Sequence, residues 1–82
     1  MLNKMDRKIV EVTWVDAWTD MVEHLTIKAA QDAKPMVRTS VGYLLKDAAD
    51  CIVLTFGLIG DAECDALHTI PKAMITKIRG LK

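Results

Sequence analysis

Two runs rich in β-forming residues, 36–46 and 51–59, are joined by a polar turn from Lys46 to Asp50. A connection that short serves only an antiparallel pair, because a parallel crossover needs a dozen or more residues. The chain is therefore expected to hold a long β-hairpin at its centre. In the first run Val37, Thr39, Val41, Tyr43 and Leu45 recur on one face. Gly42 sits among them, and a glycine inside a strand suggests a bulge or bend. Small closed barrels need such a bend where one long strand serves both sheets. The second run, Cys51 to Ile59, is apolar on both faces, which places it centrally or at an interface.

The remaining segments follow from changes of period. Residues 9–18 alternate as a strand, with Val10, Val12, Trp14, Asp16 and Trp18 on the side expected to be buried. After them Asp20 and Glu23 have the spacing of a capping box, and Val22, Leu25, Ala29 and Ala33 make one apolar stripe. A short helix over 20–33 is the expectation, closed by Pro35. Gly60 to Asp65 reads as an acidic turn and Ala66 to Ile70 as a short strand. In the tail Met74, Ile75, Ile78 and Leu81 fit a helix. A break over 71–74 and a strand Ile75 to Leu81 fit equally well, and the β-branched residues favour the strand. The fold class expected is mainly β (α+β): one domain over 1–82, a small SH3-like or Sm-like antiparallel barrel of about five strands with one short helix after the first.

Composition narrows the function classes. Eleven basic and eleven acidic residues give no net charge, which argues against binding nucleic acid by bulk charge. Half the 82 residues are hydrophobic, so disorder is not expected, but a core this small makes stability marginal without a partner subunit or a staple. The mixed charges of residues 1–8 do not resemble a signal peptide, and the stretch from Cys51 to Gly60 is about half the length that spans a bilayer. An intracellular protein with reduced cysteines is expected.

Three blocks sharpen the reading: Val12-Thr13-Trp14-Val15-Asp16 with Trp18, Ser40-Val41-Gly42-Tyr43-Leu44-Leu45, and Ile70-Pro71-Lys72-Ala73-Met74-Ile75. Together they resemble a group of small, mostly uncharacterised phage and prophage proteins, over nearly the whole chain. The resemblance implies a phage or prophage product in the host cytoplasm. Short proteins of that kind act by binding something of the host, and the group supplies no catalytic motif. Ile78-Arg79-Gly80 is similar to the Ile-Arg-Gly of the second Sm motif. That motif is followed by a further strand, and only Leu81 and Lys82 follow here, so it is not taken as a sign of Sm-type RNA binding.

Chemistry-bearing residues were weighed against plainer roles. Cys51 and Cys64 are thirteen apart, and Cys64 and His68 four apart across a turn and strand. Neither spacing is that of a zinc site, and no metal or other cofactor is expected. Ser40, Cys51 and Cys64 have no base placed by spacing, and no glycine-rich phosphate loop is present, so no enzyme is expected. Asp16 between Trp14 and Trp18 would suit a ligand amine or a base edge, or would cap the end of the strand. Residues 71–82 carry Lys72, Lys77, Arg79 and Lys82 with no acid, whereas residues 47–65 carry five acids and no base. The opposite blocks suit a subunit interface, with a phosphate site ranked just behind. The contact residues expected are Asp16, Trp18, Tyr43, Lys77 and Arg79. The function expected is a homo-oligomeric binding protein that sequesters or blocks a host factor, either a defence protein or a small signalling nucleotide. A nucleic-acid-binding small barrel and a minor virion or assembly protein are the alternatives.

Overall fold

A computed structural model describes residues 7–17, 19, 21 and 23–81. Five antiparallel strands form one sheet: β1 (Ile9–Asp16), β2 (Met36–Asp47), β3 (Cys51–Ile59), β4 (Glu63–Pro71) and β5 (Ile75–Leu81), in the order β4-β3-β2-β1-β5. One short helix, α1 (Ile27–Gln31), lies between β1 and β2, and a single 3-10 turn (Lys72–Met74) leads from β4 into β5. The central hairpin, the apolar third strand flanked on both sides, and the strand ending of the tail all stand as the residue pattern indicated.

Three expectations change. The expected 20–33 helix is confined to Ile27–Gln31, with Thr26 as its N-cap, its hydroxyl accepting the Ala29 N–H at 3.1 Å. Asp20 and Val22, on which the capping box and stripe partly relied, lie outside the described residues. The acidic turn is shorter than expected, since β4 already begins at Glu63. No ladder closes β4 against β5 among the described residues, so the sheet is open and not a closed barrel.

The sheet nevertheless coils. Flat neighbouring strands lie about 4.8 Å apart, and β3 and β2 both stand between β4 and β1 in the sheet order. Yet the His68 ring on β4 comes within 5.3 Å of the Trp14 ring on β1, centroid to centroid. Curvature this strong lets the sheet bury its own concave face. Val10, Val12 and Trp14 of β1, Ile52 and Leu54 of β3, and Ile70 of β4 form the core, with Leu44 and Ile75 packed against it. On β2 the face toward this core holds Ser40, Gly42 and Leu44, opposite Val12, Val10 and Leu54. The apolar row Val37, Val41, Tyr43 therefore lies on the convex side.

Of the bulge or bend expected at Gly42, the bulge does not lie there. β2 stays in register with β1 through Gly42, and the register shift toward β3 falls between Leu44 and Lys46. A Cβ at position 42 would stand 2.7 Å from the Thr55 carbonyl oxygen and 3.3 Å from Leu54 Cβ. The glycine is there because β2 and β3 approach too closely for any side chain.

Candidate functional site

The concave face carries a connected polar and aromatic group. On β1, alternation sends Trp14 and Asp16 to the same side as the core valines. Arg38 and Ser40 of β2 pair with Trp14 and Val12, and His68 of β4 pairs with Leu54, so all of them share this face. Phe56 on β3 follows Ile52 and Leu54 at the same period.

The Trp14 indole N–H donates to Ser40 Oγ at 3.0 Å, and Ser40 Oγ lies 3.2 Å from His68 Nε2. The imidazole in turn meets the Trp14 ring edge-on, and Phe56 is stacked near it at 6.0 Å with 30° between planes. Trp14 is buried, Ser40 and His68 are half-buried, and Phe56 is 56% exposed. The relay runs from the core to an open aromatic ring. Beside it, Arg38 Nε donates to Asp16 Oδ2 at 2.8 Å.

The backbone beneath this group is held in an uncommon shape. Ala66, between Asp65 and Leu67 on β4, has a φ of 59°. The buried Thr55 hydroxyl is 2.6 Å from the Asp65 carbonyl oxygen and 2.8 Å from that of Ala66. A left-handed conformation costs an alanine about 1–2 kcal/mol, and the Thr55 hydrogen bond is the local interaction that opposes that cost. The kink lies two residues before His68 and so fixes where the imidazole emerges.

Ser40 beside His68 has the separation of a nucleophile and its base. Both side chains are also engaged by their neighbours: the Ser40 oxygen accepts the indole N–H, and the Phe56 ring lies 6.0 Å from the imidazole. What the face can do chemically is stack a flat ring on Phe56, hydrogen-bond through imidazole and hydroxyl, and meet an anion with the Arg38 guanidinium.

The expected contact residues do not converge. Asp16 joins the concave group, paired with Arg38 instead of capping the strand end. Trp18 lies outside the described residues. Tyr43, Lys77 and Arg79 belong to the convex face, opposite Thr55 and Ile9, Thr13, and Glu11 respectively. Arg79 grips Glu11 with two bonds, Nε to Oε1 at 2.8 Å and NH2 to Oε2 at 3.2 Å. That grip lowers the Glu11 pKa and raises that of Arg79, first through the hydrogen bond itself. Lys72 meets Asp47 at 2.7 Å, so part of the two opposite charge blocks already meets within one chain.

Phe56 and Arg38 escaped the sequence reading. Their signal was there in the period: Phe56 continues Ile52 and Leu54, and Arg38 shares the phase of Ser40. The apolar odd positions of β2 drew attention to the wrong face. His68, considered only for its spacing from Cys64, meets Trp14 and Ser40 on strands that only the coiling brings near.

Comparison with protein-family models, with characterised proteins and with solved structures found no match to this chain.

Proposed function

We propose that the chain is a non-catalytic binding protein of phage or prophage origin, acting in the host cytoplasm as a homo-oligomer that sequesters a host factor. The phage assignment is supported by the three sequence blocks described above, and the domain is taken as SH3-like or Sm-like, opened at the seam between β4 and β5. Of the two kinds of host factor, a small nucleotide is favoured over a protein. The observation that carries this preference is Phe56, an exposed ring presented from rigid strands, stacked on His68 and sharing a face with the Arg38 guanidinium. A nucleobase would stack on Phe56, where an aromatic platform contributes about 1–3 kcal/mol per base. Its phosphate would meet Arg38, which turns part of its donor set to Asp16 and keeps the rest for a ligand.

Native mass spectrometry of gently purified protein should show a mass above the bare chain, with a small molecule released on denaturation. Titration with a panel of mononucleotides and cyclic nucleotides should then give binding that Phe56→Ala and Arg38→Ala each weaken about tenfold or more. Both side chains are exposed, so the fold should survive. Labelling of Ser40 by a serine-reactive phosphonate would overturn the non-catalytic reading. No binding by any nucleotide would move the proposal to a protein target.

A further inference from the structure

The segment between β1 and β2 is built like a core element and has no core to join. Every described residue from Ala17 to Pro35 is exposed, and α1 has no buried residue. Met21 is 89% exposed, Ile27 77%, Leu25 56%, and Val37 at the foot of the segment 66%. The apolar positions Leu25, Ala29 and Ala33 keep the spacing of a buried helix face. A helix of five residues is far below the 12–15 or so at which isolated helices become even marginally stable in water. The pattern is that of a packed helix, and the monomer does not supply the packing.

Charge points to a second copy as the occupant. Asp32 is the C-cap of α1, where the helix dipole disfavours an acid and favours a cation. Lys28 stands one turn earlier, and neither residue forms an ion pair among the described residues. Laying α1 antiparallel on its own copy about a twofold axis puts Lys28 opposite Asp32 twice, while the apolar residues of the two segments face each other.

We propose that the projecting β1–α1–β2 segment is a self-association arm, which pairs with the same arm of a second copy and gains helix as it does so. The proposal rests only on the homo-oligomer part of the functional reading and is independent of the ligand face.

Analytical ultracentrifugation and native mass spectrometry of the full chain test it. Wild type should be a dimer or a multiple of two, with helical circular dichroism rising as concentration rises through the dissociation range. Leu25→Glu and Ala29→Glu should each raise the dissociation constant at least tenfold. The thermal unfolding of the sheet, read at concentrations where each protein is monomeric, should stay unchanged, since both side chains are exposed. Lys28→Glu should weaken association about threefold, and adding Asp32→Lys should restore it. A strictly monomeric wild type overturns the homo-oligomer reading and leaves the arm to a foreign partner. An oligomer indifferent to Leu25→Glu and Ala29→Glu overturns the arm alone and puts the interface elsewhere on the sheet.

Discussion

At Thr55 and Ala66 the fold relies on one hydroxyl to hold a strained carbonyl pair. Thr55 is fully buried, and its Oγ1 meets the carbonyls of Asp65, Ala66 and Gly57. Thr55→Val keeps the shape and removes the single O–H donor, so it should cost about 0.5–1.5 kcal/mol in urea unfolding, the net worth of one hydrogen bond to a part-buried carbonyl. Ala66→Gly should act in the other direction, stabilising by up to about 1 kcal/mol, because glycine takes a φ of 59° without the Cβ penalty. A destabilised Ala66→Gly would show that the residue carries no strain. A second residue-scale prediction concerns Glu11. Its folded-state pKa lies below the ordinary 4.5 because Arg79 holds the carboxylate. The pair therefore stabilises the fold above that pH, and its contribution is lost as the pH falls through the folded pKa. Glu11→Gln should flatten the acid limb of a stability–pH curve and leave a smaller difference from wild type in acid than at neutral pH.

At the scale of elements, β2 and β3 are the pair whose geometry sets everything else. Their close approach at Gly42 brings the concave face together, and the register shift between Leu44 and Lys46 adds local twist. Gly42→Ala must push the Thr55 carbonyl away, and overpacking of this kind costs about 1–3 kcal/mol. Chemical denaturation should show that loss, together with disturbance of the neighbouring Thr55 hydrogen bonds in amide exchange. The same element scale explains where pattern reading worked. Cys51 to Ile59 was legible as a flanked strand because it is apolar on both faces. Ile75 to Leu81 was legible because β-branched residues follow the break at Pro71. The helix was overextended because an apolar stripe reports only that a face will be covered. It does not say by what, and in the single chain Leu25, Ala29 and Ala33 are exposed.

For the whole molecule, six side chains among the described residues make the buried core, in a chain whose radius of gyration, 16.8 Å, exceeds the roughly 12 Å of a compact domain this long. A domain of this size has roughly 4–12 kcal/mol of stability in total. Leu54→Ala, at a fully buried position, should cost about 2–5 kcal/mol and bring the monomer close to unfolding at room temperature. If the arm associates as proposed, the thermal midpoint of wild type should rise with protein concentration, and that of Leu25→Glu should not. Among the described residues no helix is long and apolar enough to cross a membrane.

The residue order by itself determined the antiparallel hairpin and the phase of β1 with Trp14 inward, and it favoured the strand after Pro71 over a helix. Each of these depends on a period or a steric rule that acts within a few residues of chain. Which face of β2 turns inward could not be read the same way, because both phases carry credible residues and the apolar one faces outward. The union of Trp14, Ser40, Phe56 and His68 was likewise beyond local reading. It needs strands from both halves of the chain, brought together by a coiling that depends on the missing Cβ at Gly42 and the kink at Ala66. Tertiary structure decided the site because curvature belongs to the sheet as a whole, whereas periodicity belongs to each strand alone.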